Sequence, residues 1–268
     1  MLKKIKRKAK KIVSLINNGI CKVCQFFNDI AFIAKKNILH SANGNTAIYL
    51  PYFHSDYIQQ TIYKTANYFE KDNLDFVCKE WNNGIISERI KNTCILDIGC
   101  NIGNHTLYYL NECNAKFVHC FEPIKDTCHI LCRNICLNQL EQKTKIYNVG
   151  VGASSSMACI NHYDKKNIGG TSIKIDDNGD IPIVSIDDLN INNIGLIKID
   201  VEGFEINVIN GMINTLKKQK PHICIEIRHT YFNEIHDILS TIGYEYIEIE
   251  DPQPWRDYNN YLFYPNNQ

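Results

Sequence analysis

The sequence predicts an α/β fold: a central, mostly parallel sheet with helices on both faces. Three observations predict it. A short apolar, partly β-branched run, Ile95-Leu96-Asp97-Ile98, breaks at Gly99 and resumes as a helical pattern at Thr106, which reads as strand, glycine turn, helix. From Cys94 onward, strand-like and helix-like segments alternate, and such alternation yields parallel strands joined by right-handed crossovers. An acid, Glu122, closes the second apolar strand and Pro123 stops it. An acid so placed is suited to ribose hydroxyls.

Residues 1–40 form a basic amphipathic N-terminal helical extension in this reading. Lys3, Lys4, Lys6, Arg7, Lys8, Lys10 and Lys11 crowd its start. Ile12, Ile16, Ile20, Val23, Phe27, Ile30 and Ala34 then fall on one helical face. Asn17, Asn18, Lys22 and Asp29 interrupt the apolar run, which argues against a membrane span and against a signal peptide. Two readings stay open: peripheral contact with anionic lipid, or packing on the α/β body or a second copy. Residues 41–93 are a cap or approach segment. It holds a turn at Ser41–Asn45, a short strand at Tyr49–Pro51, a helix from Ile58 and further helical pattern over Tyr68–Glu70 and Leu74–Trp81.

Residues 94–268 are the α/β body. After the glycine turn come helix Thr106–Cys113, strand Lys116–Phe121, helix Lys125–Leu137 and strand Lys145–Val151. Strands Ser154–Tyr163 and Asp180–Ser185 flank a polar excursion, Asp164–Gly179, able to touch a substrate or to serve as a plain hairpin. Strand Gly195–Ile199, helix Glu205–Leu216, strand His222–Ile227, helix Tyr231–Thr241 and strands Tyr244–Ile249 and Tyr261–Tyr264 complete it.

Composition is that of an ordinary globular domain, 44% hydrophobic and 22% charged, so a full core is expected. Net charge is zero, and with the basic head set aside the body is mildly acidic, which excludes a nucleic-acid footprint. Twelve cysteines could suggest an oxidised scaffold. Yet Cys94, Cys100, Cys120 and Cys224 fall in or beside core strands, and Cys128, Cys132 and Cys136 follow one helical stripe. Reduced core cysteine and a cytoplasmic location, peripheral to the inner membrane face if the extension meets lipid, are the expectation. The Cys128 stripe has no partner ligand pair at zinc spacing, and Cys21-x-x-Cys24 lacks a second pair.

The glycine turn reads Asp97-x-Gly99-x-Asn101-x-Gly103, not the G-x-G-x-x-G of a dinucleotide site. Asp97 would repel a pyrophosphate and suit the ammonium of an amino-acid end, through water or backbone groups. A ligand with a ribose, an amino-acid end and no phosphate is S-adenosylmethionine. Here the chain resembles the FkbM-type methyltransferases, through ILDIGCNIGNHT (95–106), FEP (121–123), GVG within 149–152, PIVSIDDL (182–189), LIKIDVEGFE (196–205) and CIEI (224–227). The resemblance runs from about Tyr49 to Ile249, and Cys100 stands where the family usually has alanine.

The resemblance implies a Rossmann-like class I methyltransferase with a seven-stranded sheet ending in an antiparallel hairpin. It implies S-adenosyl-L-methionine as cofactor, held by Asp97, Gly99, Asn101, Gly103, Asn104, Glu122, Pro123 and Gly150, with Glu70 reaching the methionine end. The acceptor implied is a hydroxyl on a sugar, glycoconjugate or polar small molecule. A hydroxyl needs a general base, and Asp200, Glu202, His229 and His105 are candidates, Asp200 and His229 foremost. His105 also reads as an exposed first-turn residue. Lys198 points away from Ile197 and Ile199 and is placed to pair with an acid. Asp187 and Asp188 read as helix-start carboxylates. Asp200 with Glu226 could hold a metal, but nothing requires one. The alternatives are an NAD-dependent dehydrogenase and a non-catalytic cofactor-binding module of a glycan-assembly complex.

Overall fold

The structure is a computed structural model and describes residues 37–249 and 257–266. Most of the expected 1–40 extension therefore lies outside the described residues. Its last three residues, Ile38–His40, are not helical: they form strand β1, paired antiparallel with β2 (Ala47–Tyr49).

The cap segment continues with α1 (Tyr57–Thr65) and α2 (Lys71–Asp75). Asp56 caps α1 by accepting from the Gln59 N–H at 2.9 Å, and its other oxygen accepts from the Ile168 N–H at 2.8 Å. The cap is thereby tied to the polar excursion. Of the helical pattern expected over Tyr68–Glu70 and Leu74–Trp81, Tyr68–Glu70 is not helical, and Glu70 sits at φ 55°. Helix α2 then widens into a π-turn, Phe76–Glu80, followed by a 3-10 turn, Trp81–Gly84, and α3 (Ile85–Ile90).

The body runs β3 (Cys94–Ile98), α4 (Asn104–Asn111), β4 (Phe117–Phe121), α5 (Lys125–Leu137) and β5 (Thr144–Tyr147). Next come β6 (Gly150–Val151), β7 (Ser156–His162), β8 (Ser172–Ile175), β9 (Ile181–Val184) and α6 (Ile186–Leu189). The rest is β10 (Ile194–Ile199), α7 (Glu205–Asn210), α8 (Ile213–Gln219), β11 (His222–Arg228), α9 (Phe232–Thr241), β12 (Tyr244–Glu248) and β13 (Tyr258–Pro265).

The main sheet has seven strands in the order β12-β13-β11-β10-β3-β4-β5. The five from β11 to β5 are parallel, and β13 lies antiparallel between β11 and β12. This is the Rossmann-like arrangement the sequence predicts. Alternation sends Ile95, Val118 and Leu196 to one core and Leu96, Ile98, Ile197 and Ile199 to the other, so both faces are covered. Strand order reverses between β3 and β10, and a crevice opens beyond the carboxyl ends of strands at such a point.

Two predicted elements are split by packing. The strand expected over Lys145–Val151 breaks at Asn148, whose side chain donates to the Glu122 and Pro123 carbonyls at 2.8 and 3.1 Å. Beyond it, β6 joins a second sheet, β6-β9-β7-β8, built largely from the excursion and its flanks. The helix expected over Glu205–Leu216 breaks at Gly211, where a Cβ would lie 1.9 Å from the Gly152 carbonyl oxygen. Asp187 does not serve its own short helix α6, which Ser185 caps. It accepts instead from the Asn214 and Thr215 N–H groups at 3.1 and 2.8 Å, in the first turn of α8.

All ten described cysteines are free thiols, and Cys94, Cys100, Cys120 and Cys224 are buried as expected. Along α5 the cysteines pass from buried Cys128 to exposed Cys136. Among the described residues no helix is long and apolar enough to cross a membrane.

Candidate active site

The glycine turn is shaped by neighbours far away in sequence. Gly99 has φ 79°, and a Cβ there would sit 1.8 Å from the Asp200 carbonyl oxygen. Glycine is therefore what lets the ends of β3 and β10 approach. Asn101 follows in the left-handed region at φ 50°, which turns its N–H toward Glu122 Oε2 at 2.9 Å. Beneath the turn, Asp97 is 1% exposed and accepts from the Thr106 hydroxyl at 2.5 Å. Burial, partly countered by Thr106 and Lys198, pushes its pKa up to about 6.

Glu122 closes β4 with both carboxylate oxygens engaged: Oε1 accepts from the Ile124 N–H at 2.8 Å and Oε2 from Asn101. Each oxygen keeps a second acceptor position, and the side chain lines the cleft. Burial raises its pKa to about 7 in spite of the two bonds.

The cleft has about 550 Å³ of empty space, open solvent included, but free water fits in only about 40 Å³ of it. Its walls therefore lie close together. Gly99, Asn101, Glu122, Pro123 and Gly150 form one side, and Ile124, Val149, Ile173 and Phe204 add an apolar lining. Ile168, Gly169 and Thr171 of the excursion close it, so the predicted loop is both a hairpin and a wall. The cleft continues into a second hollow lined by Tyr57, Phe69, Glu70, Glu226 and Tyr258, with Gly99, Asn101, Asp200 and Glu202 common to both.

Acids gather where the two hollows meet. Asp200, Glu202 and Glu226 bring carboxylate oxygens within 4.8 Å of one another. Lys198, 3% exposed, places Nζ 3.7 Å from Asp200 Oδ2, the pairing expected from strand alternation. Burial alone would lower the Lys198 pKa, but Asp200 and the acids around it hold it above the usual lysine range. Burial, then Asp200, raises Glu226 to about 9 and Glu202 to about 7, with Arg228 3.6 Å from Glu202 opposing the second.

Of the residues expected to form the site, Gly99, Asn101, Glu122, Pro123, Gly150, Asp200, Glu202 and Glu70 line these hollows. Four do not. Asp97 supports the turn from below. Gly103, at φ 88°, begins α4, and a Cβ there would lie 2.6 Å from Leu131 Cδ1. Asn104 binds the Phe69 backbone at both ends, accepting from its N–H at 2.9 Å and donating to its carbonyl at 3.0 Å. It thereby fixes the cap rather than a ligand. His229 is exposed in a 3-10 turn, its N–H donated to the Asp257 carbonyl, and its ring lies outside both hollows. His105 is largely buried rather than exposed, and burial with Lys198 nearby pulls its pKa down to about 3. It is neutral at pH 7, so its 3.6 Å contact with Glu70 is not an ion pair.

These shifts set the pH dependence of stability. Glu122, Glu202 and Glu226 have folded pKa values raised from about 4.5, so the folded chain binds more protons than the unfolded one. Their contribution is full below about 4.5 and is lost as pH rises through 7 to 9. His105, His119 and His222 are lowered from 6.5 to about 3, 4 and 4, so their contribution is present above 6.5 and lost on acidification. Thermal unfolding should therefore peak at about pH 5 to 5.5, where the extra protons held by the folded acids and those excluded by the folded histidines cancel. The midpoint should fall from pH 7 to 9, less steeply in Glu226→Gln. A flat or rising midpoint over that range would contradict these environments.

Comparison with known proteins agrees with the geometry. Residues 97–246, more than half the chain, match the model of the methyltransferase FkbM domain. The crystal structure of methyltransferase FkbM from Methylobacillus flagellatus KT superposes with a TM-score of 0.50 at 18% identity, covering 65% of this chain. The match spans 44% of that longer chain. Human methyltransferase 10 domain containing protein gives 0.46 at 13% identity over 73% of this chain and 81% of its own. Precorrin-6y C5,15-methyltransferase from Geobacter metallireducens GS-15 gives 0.41 at 8% identity over 67% and 86%. No curated protein matches the chain significantly. A methyltransferase model aligned over the turn, Glu122 and the acid-bearing strands, on a sheet of this order, leads to one assignment: the chain belongs to the FkbM methyltransferase family.

Proposed function

We propose that the chain is an S-adenosylmethionine-dependent O-methyltransferase acting on a hydroxyl of a sugar, glycoconjugate or other polar molecule. One observation carries this reading: Glu122, the Gly99–Asn101 turn and the acids after β10 and in β11 meet in one cleft at the point of strand reversal. The residues fit the donor. Glu122 has acceptor positions left for two ribose hydroxyls, and the apolar lining suits a base. Gly150 keeps the wall low, since a Cβ there would meet Ile183 Cδ1 at 2.5 Å. Glu70 offers a charge for the amino-acid end. When bound, the donor supplies an electrophilic methyl on a positively charged sulfur.

The acceptor is proposed to approach along the groove that adjoins the acid cluster. Tyr57, Thr61, Asn67, Phe69, Asn73 and Tyr258 line it. Aromatic faces beside hydroxyls and amides suit a polyhydroxylated molecule. With the donor bound, a carboxylate of the cluster would take the hydroxyl proton of the acceptor. Glu202, with a pKa of about 7, is poised to take it, and Asp200 beside Lys198 holds the charge pattern around it.

Calorimetry tests the donor. S-adenosylhomocysteine should bind the folded chain with micromolar affinity, and NADH should give no heat. Binding of NADH instead would favour the dehydrogenase reading, and absence of heat from both would overturn the proposal.

A further inference from the structure

We propose that the positive charge of the donor replaces a proton within the Asp200–Glu202–Glu226 cluster. The chain would then release a proton on binding a cationic donor and hold the neutral demethylated product less tightly. The inference rests on the S-adenosylmethionine reading above.

The cluster joins the end of β10 to β11, with its carboxylate oxygens within 4.8 Å of one another. The charged groups that face it are Lys198 from β10, Asp97 from β3, Glu122 after β4, Glu205 from the start of α7, Glu70 from the cap and Arg228 from the end of β11. Lys198 is almost wholly buried and aimed at Asp200, and its Nζ has no hydrogen-bond partner. It cancels Asp200 and leaves the others. Arg228 is shared, 3.6 Å from Glu202 and 3.0 Å from Asp257, and its side chain is 40% exposed. Among the described residues Glu226 forms no ion pair. Three carboxylates thus face one buried and one divided cation. A half-buried acid in that position keeps a proton at neutral pH, in line with the upward shift of Glu226. A monocation seated among these oxygens does what that proton does, so one charge enters and one proton leaves to the buffer. Once the methyl is given up, the sulfur is neutral, the proton returns and the product loses its counter-charge.

The experiment is calorimetry at pH 7.5 in phosphate and in Tris, whose ionisation heats differ. The titrants are S-adenosylmethionine, its amine analogue sinefungin, S-adenosylhomocysteine and magnesium chloride alone. The cationic ligands should release about one proton and bind about tenfold more tightly than S-adenosylhomocysteine, which should release none. Glu226→Gln should abolish the release and bring the preference to within about twofold, with the affinity for S-adenosylhomocysteine retained. If Glu226→Gln does not fold, Glu202→Gln should show a partial loss of the release. Equal proton counts for charged and neutral ligands would overturn the inference and leave the donor reading standing. No heat from any of the three nucleoside ligands with folded protein would overturn both. Tight magnesium binding that expels the same proton and excludes sinefungin would reassign the cluster to a divalent ion and overturn the inference.

Discussion

Replacing Glu122 by glutamine should weaken S-adenosylhomocysteine binding by about 10- to 100-fold. The expectation follows from where the carboxylate stands. It is 5% exposed, two backbone N–H groups fix it, and its free acceptor positions face the cleft. Hydrogen bonds to a charged acceptor contribute about 1.5–3 kcal/mol, and tenfold in affinity is about 1.4 kcal/mol. The amide also turns a donor toward Asn101 or Ile124, so one backbone N–H loses its acceptor. A cost of about 1–3 kcal/mol in folding stability should accompany the loss. Titration calorimetry beside urea unfolding separates the two effects. An affinity within about twofold of wild type, with stability retained, would remove Glu122 from ribose binding.

Gly99→Ala should be the most damaging single methyl in the described chain. Its left-handed φ of 79° costs an alanine about 1–2 kcal/mol. The added Cβ would also lie 1.8 Å from the Asp200 carbonyl oxygen, a backbone atom with no rotamer to change. The ends of β3 and β10 must part, and the cleft lies between them. A total of at least about 4 kcal/mol is expected, which lowers the unfolding midpoint by roughly 10 °C in a chain of this size. Differential scanning calorimetry reads it directly. A midpoint within about 2 °C of wild type would show that the two strand ends are not held as described.

The parts of this molecule that could be read from the sequence are those whose cause is local. The apolar alternation of β3, β10 and β11, the break at Gly99 and the acid before Pro123 all write their own geometry. Elements shaped by a distant partner could not be read. Nothing near Asn148 tells that its amide will hold the Glu122 and Pro123 carbonyls and end a strand. Nothing near Gly211 announces the Gly152 carbonyl against which it packs. The site divides in the same way. Glu122, Asp200 and Glu202 were legible as acids following strands. Asp97 and Asn104 share a motif with the cleft-lining residues but turn inward, to Thr106 and to the Phe69 backbone. His229 was misplaced because β11 runs on to Arg228 and the next turn carries the ring outward. Glu226 belongs to the cluster, and alternation along β11 was the signal that could have chosen it over His229.

The position of β13 bears on how the molecule is made. The segment that leaves the ribosome after every other described strand occupies an interior slot, between β11 and β12. Until Tyr258–Pro265 emerges, β11 presents an unpaired edge of alternating isoleucines, and β12 has no neighbour in the main sheet. Co-translational folding should therefore halt at a half-closed sheet. During that interval a nascent chain is most open to chaperone capture or to pairing with another copy.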